Sequence, residues 1–80
     1  MKEKLQNIKS EAMGMIMVAD GGEEVERLRV HYLGKKGILA EMAKEIPKLA
    51  PEDKAEIGEV FNDVKSAIAA ALASKTQNSK

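Results

Sequence analysis

The sequence predicts an all-α fold, an antiparallel helical hairpin of coiled-coil type with an extra helix at its N-terminus. Three observations carry that expectation. Charged residues make up 32% of the chain and aromatic residues only 2%, a balance that suits long solvated helices and leaves a sheet short of the side chains it packs with. Apolar residues recur three and four positions apart over most of the length, the period of a helix face. The breaks in that period fall at Asp20-Gly21-Gly22, Gly34 to Gly37, Pro47 and Pro51, residue types that end helices or begin them.

The first helix is expected over about 2–19, with Leu5, Ile8, Ala12, Met15 or Ile16, and Ala19 at helical spacing. Met13, Met15 and Met17 beside Ile16 and Val18 make its second half apolar almost all round. Such methionines fill gaps in a core more often than they line a docking groove. After the Gly21-Gly22 break, a second helix is expected over 23–33. Glu23 and Glu24 suit its positive end, and Val25, Leu28 and Tyr32 share one face with Val30 and Leu33 beside it. Gly34 would close this helix as a left-handed cap, and Gly37 would give a second bend.

A third, shorter helix is expected over 38–46, with a stripe of Ile38, Leu39, Met42, Ala43 and Ile46. Pro47 makes its continuation costly. The fourth and longest is expected over 51–74. Pro51 fits a first turn, where its missing donor has no partner to lose, and Glu52 and Asp53 follow as first-turn acids. Inside it, Ile57, Phe61, Val64, Ile68 and Ala71 step by four, three, four and three, the seam of a coiled coil. The expected partner of that seam is the second and third helices folded back antiparallel. Residues 75–80 lack an apolar side chain and are expected to fray. Gly14 and Gly58 interrupt helices at about 1 kcal/mol each against alanine; a close helix crossing is the expected reason at Gly58, and packing and mere tolerance are balanced at Gly14.

Composition narrows what such a fold can do. Eighty residues form one small domain, 1–80, with 13 basic and 13 acidic residues and no cysteine. A single histidine, His31, does not make the usual multi-imidazole metal site, so neither a metal nor a cofactor is expected. The uncharged stretches, Ala12 to Ala19 and Ser66 to Ser74, are far short of the roughly 20 residues of a membrane span. A cytoplasmic, soluble chain is expected. Glutamates lie scattered on polar faces, and Gly34 to Gly37 is too short for a phosphate-binding loop of the P-loop kind. Catalysis by this chain alone is therefore not expected.

One electrostatic asymmetry remains. From Arg27 to Ala40 there is no acidic residue, while Arg27, Arg29, Lys35 and Lys36 supply four positive charges. Lysines at a turn are commonly just solvated. If they serve a ligand, the aromatic count bears on which one. Single strands are held by stacking on aromatic rings, and only Tyr32 and Phe61 exist, both on apolar faces. Folded RNA is gripped through phosphates, 2′-hydroxyls and shape, which basic residues on a rigid rod supply.

The run from Leu28 through Tyr32-Leu33-Gly34-Lys35-Lys36-Gly37 to Leu39 resembles the signature of the N-terminal helical domain of the bacterial phenylalanyl-tRNA synthetase alpha subunit. Leu49-Ala50-Pro51-Glu52-Asp53, Ile57-Gly58 and Asn62-Asp63-Val64-Lys65 are similar to the start of that domain's long arm helix. The resemblance covers nearly the whole chain. It implies a coiled-coil arm that holds the body of tRNA(Phe) for a class II synthetase, with the rest of the alpha subunit and the beta subunit as protein partners. The catalytic domain of that subunit is not within these 80 residues, so the chain is either a fragment or a free-standing relative. Arg29, Lys35 and Lys36 fall on motif positions and are the expected phosphate contacts, with Gly34 and Gly37 shaping the turn and Tyr32 packing between helices with its hydroxyl at the surface. Ala40 stands where the family commonly has threonine, which removes a hydroxyl. The alternative function is a helical-hairpin interaction module, docking a partner subunit through its seam or its Met-rich first helix.

Overall fold

The computed structural model describes residues 2–78. All regular structure among them is helical: α1 spans Lys2–Val18, α2 Gly22–Leu33, α3 Ile38–Glu45 and α4 Pro51–Asn78, with a 3-10 turn at Ile46–Lys48 between the last two. The helices pack into a rod of 45 × 19 × 16 Å. The 28 residues of α4 extend about 42 Å at 1.5 Å each, so this helix alone sets the long dimension.

Interhelix contacts fix the directions. Lys2 Nζ reaches Glu56 Oε1 at 3.3 Å, Lys9 Nζ reaches Asp63 Oδ2 at 3.5 Å, and Lys75 Nζ donates to the Met17 carbonyl at 3.0 Å. Residue numbers rise together along both helices, so α1 and α4 are parallel. The chain then reverses: Leu28 faces Ala19, and Tyr32 lies beside Glu11. Beyond the turn α3 continues in the same sense, and the segment after it brings Leu49 beside Ile57. The expected antiparallel pairing of α2 and α3 against α4 is present. The most extensive neighbour of α4, however, is α1, which the sequence reading left out of the seam. Leu5, Ala12, Ile16 and Ala19 are all buried and step by seven, four and three; this is itself a heptad-like seam, and α4 meets both.

The largest wholly enclosed side chains are Tyr32, Leu5, Ile68 and Val64, and no polar or charged residue among those described is buried. The expected seam of α4 divides accordingly: Ile57, Val64 and Ile68 are buried, whereas Phe61 and Ala71 pack at the edge. Leu72, outside the predicted stripe, joins the core. Ile16 rather than Met15 faces inward, and Met15 is exposed.

Two local expectations are corrected. α4 continues four residues past Ser74, to Asn78, because an alanine-rich stretch has high helix propensity and the Lys75 bond to the end of α1 ties this turn down; the remainder of the predicted frayed tail, Ser79 and Lys80, lies outside the described residues. Gly58 is not at a close crossing. A β-carbon there, or at Gly14, would meet nothing within 4 Å, so both are glycines the helix tolerates rather than requires.

Candidate functional site

The turn between α2 and α3 is built from backbone hydrogen bonds. Gly34 N donates to the Val30 carbonyl at 3.0 Å, completing α2; Gly37 N donates to the Gly34 carbonyl at 3.0 Å; and Glu41 N donates to the Gly37 carbonyl at 3.1 Å, opening α3. Neither glycine is left-handed, contrary to the cap expected at Gly34: its φ, ψ are −68°, 169°, and those of Gly37 are −76°, 174°. What requires glycine is close approach. A β-carbon on Gly34 would overlap the Val30 carbonyl oxygen, and one on Gly37 would lie 2.7 Å from the His31 oxygen. Both obstacles are backbone. The left-handed side of φ is used instead at Gly21, φ 88°, which immediately precedes α2.

Tyr32 anchors the turn from beneath. Its ring is fully buried and meets the His31 ring edge-on at 4.9 Å. Its hydroxyl donates to Glu11 Oε1 on α1 at 2.9 Å, with the Met15 sulfur at 3.5 Å. The packing expected from sequence holds, but the hydroxyl ends on a carboxylate rather than in water. Burial first, and then the bond to Glu11, push the phenol up to about 12.

The four cations of the basic stretch fall into two kinds. Arg27 pairs with Glu23 at 3.4 Å. Arg29 is chelated by Glu26 through Nε, at 3.2 and 3.1 Å to the two carboxylate oxygens, and through Nη2. That hydrogen bonding holds the Glu26 carboxyl below its ordinary value and raises Arg29 above its own. Lys35 and Lys36 are exposed and have no acidic partner among the described residues. The local excess is therefore concentrated on two ammonium groups held between two sterically constrained glycines. Arg29 stands more than a helical turn before them, already engaged.

A further cation lies at the same place. Lys65, on α4, lines with Lys35 a cleft of about 260 Å³ whose other walls are Leu33, Gly34, Leu39, Ala40, Ala43 and Phe61. The sequence reading did not single it out, although Lys65 follows Phe61 by one helical turn and so flanks the seam. A depression of about 600 Å³ between α1 and α4 has a different character, bridged by the Lys2–Glu56 pair and carrying glutamate and aspartate on its walls. Among the described residues no group of histidine, cysteine, aspartate and glutamate could hold a metal ion, and no helix is long and apolar enough to cross a membrane.

Comparison with known proteins agrees with the resemblance seen in the turn. The family described as "Aminoacyl tRNA synthetase class II, N-terminal domain" matches residues 21–80. The chain is 42% identical over 77 residues to the phenylalanine–tRNA ligase alpha subunit of Listeria monocytogenes, covering 96% of this chain and 22% of that protein. The proteins of the same name from Halalkalibacterium halodurans, 39% identical over 77 residues (96% of this chain, 22% of the relative), and from Moorella thermoacetica, 37% over 78 residues (98% and 23%), are similar as well. The chain thus spans about a fifth of the length of these curated relatives. No solved structure matches it significantly.

Proposed function

Because this chain belongs to the family of class II aminoacyl-tRNA synthetase N-terminal domains, we propose that it is the tRNA-binding arm of a phenylalanyl-tRNA synthetase alpha subunit. The arm holds the body of tRNA(Phe) so that the attached enzyme can aminoacylate it, and it is not catalytic by itself. The remainder of the alpha subunit and the beta subunit are its protein partners in that assembly. The observation that supports this reading is the pair of exposed, unpaired lysines, Lys35 and Lys36, on a turn that the Gly34 and Gly37 contacts leave little freedom to rearrange. Ammonium groups fixed at one place on a rigid rod meet phosphates without an ordering cost at the turn itself. Each phosphate neutralised releases condensed counterions, which is the main source of affinity for such a contact. Arg29 serves as a third contact only by exchanging Glu26 for a phosphate, and its contribution is correspondingly smaller.

Titration of labelled tRNA by fluorescence anisotropy tests the reading. With two to three phosphates met, affinity should fall roughly tenfold to fiftyfold between 50 and 200 mM salt. Lys35→Glu with Lys36→Glu should abolish binding while the helical circular dichroism stays unchanged. Folded tRNA should bind better than a single strand of equal length, since the contacts are to backbone and shape. Pyrophosphate exchange with phenylalanine and ATP should stay at background.

A second reading has its own support. Met17 and Val18 at the end of α1 are 77% and 78% exposed, and adjacent apolar side chains left in water are the surface a docking partner would cover. An interaction module docking a partner there would bind with little dependence on salt. Affinity for tRNA indifferent to both salt and the double reversal would favour it.

A further inference from the structure

We propose that Lys65 of α4 and Lys35 of the α2–α3 turn together seat a single phosphate of a folded RNA, with the apolar floor between them taking the adjoining sugar. This rests on the tRNA-binding reading and adds to it a residue and a geometry. The two lysines are thirty positions apart in sequence and are brought to one cleft by the packing of the turn against α4. No carboxylate lines that cleft, and Lys65, like Lys35, has no acidic partner among the described residues. Lys35 and Lys65 put two like charges on the lining of one cleft, and an anion bound between like charges relieves their repulsion. Floor and rim are chemically distinct: Leu33, Leu39, Ala40 and Phe61 offer only carbon, and charge stands at the lysines. A phosphate joined to a sugar has that same division, with anionic oxygens beside a C–H surface. Leu39 is 2% exposed and Gly37 is buried, so the wall that carries Lys35 is fixed to the core.

Lys54 supplies the control. It too is exposed and unpaired on α4, and eleven residues at about 100° each return it to nearly the face of Lys65, roughly 16 Å along the helix. That separation exceeds the Debye length of about 8 Å at physiological salt. Anisotropy titrations of labelled tRNA with the full chain at about 150 mM salt should show Lys65→Glu weakening binding roughly tenfold or more, and Lys65→Arg and Lys54→Glu staying within about twofold of the unaltered chain. Circular dichroism identifies any variant that has lost its fold. Lys35→Gln with Lys65→Gln should lower the slope of log affinity against log salt by about 0.9, the value for one phosphate rather than two. Equal losses for Lys65→Glu and Lys54→Glu, or a slope change near two phosphates, would overturn the shared seat and leave the tRNA reading standing. Failure of the unaltered chain to bind tRNA at all would overturn both, and capture of an acidic protein segment by the same cleft in its place would assign the lysines to the interaction module.

Discussion

Replacing Gly34 by alanine separates two accounts of the turn that agree on everything except why glycine is there. A left-handed cap makes the requirement conformational. The observed φ, ψ of −68°, 169° is a region any residue adopts, so backbone preference predicts little effect. The β-carbon, however, would overlap the Val30 carbonyl oxygen, with the Val30 carbonyl carbon and α-carbon at 3.2 and 3.3 Å. All three obstacles are backbone of the last turn of α2, which cannot rotate aside as a side chain would. Relief requires moving the helix end or the turn, a forced adjustment of about 1–3 kcal/mol. A domain of this size has roughly 4–12 kcal/mol in total, and each kcal/mol moves the melting midpoint by about 4–8 °C. Thermal melts followed by circular dichroism at 222 nm should therefore place Gly34→Ala at least several degrees below the unaltered chain. Gly34→Asn sharpens the comparison, because asparagine tolerates left-handed backbone well but carries a β-carbon. It should be no better than alanine. A melt of Gly34→Asn equal to that of the unaltered chain, with Gly34→Ala clearly lower, would refute the close-approach argument and restore the left-handed cap.

The same substitution should have the opposite sign elsewhere: Gly58→Ala and Gly14→Ala, with open space at the new β-carbon, should each raise stability by about 1 kcal/mol, read from denaturant midpoints. Ile68→Ala should cost about 2–5 kcal/mol, whereas Phe61→Ala, at the edge of the core, should cost less than half of a fully buried ring, about 1–2 kcal/mol; chemical denaturation of both would expose a reversed order. Tyr32→Phe removes the bond to Glu11 and should cost about 0.5–1.5 kcal/mol at neutral pH. Because the folded phenol is pushed up to about 12 against an unfolded value near 10, its neutral form is favoured by folding. That contribution is complete below about pH 10 and is lost as pH rises toward 12, so the unaltered chain should lose its advantage over Tyr32→Phe across that interval.

The helices were legible in the sequence because their signals are local. Pro51, Gly21-Gly22 and the three-and-four spacing of Val25, Leu28 and Tyr32 each act within a turn or two of themselves, and the observed bounds fall within a residue or two of the expected ones except at the end of α4. The pairing of α1 with α4 was not legible. It joins residues 54 apart, as in Lys2 with Glu56 and Lys9 with Asp63, and an apolar stripe states that it needs a partner without naming one. The stripe of α1 was legible, since Leu5, Ala12, Ile16 and Ala19 are the buried series, and the methionines left open only whether Met15 or Ile16 faces inward. The glycines of the turn were found for a reason that proved wrong in mechanism: sequence shows where a β-carbon is missing, and only the fold shows what would have stood in its way.

The candidate site divides along the same line. Lys35 and Lys36 are adjacent in sequence and needed no fold to be placed together. Arg29 looked equivalent because a count of charges cannot show pairing, yet Glu26 lies three residues before it on the same helix, a spacing that favours an ion pair. That pairing was readable from sequence and its effect is electrostatic: a charge already met by a carboxylate contributes little field beyond a few ångströms. Lys65 is the converse case, a charge with no acidic partner among the described residues whose relevance depends on the packing of α4 against the turn. On the proposed reading, what marks a binding cation in this chain is therefore not its number among its neighbours. It is whether the fold leaves it unpaired, and whether a second such charge faces the same space, as Lys65 faces the cleft it shares with Lys35.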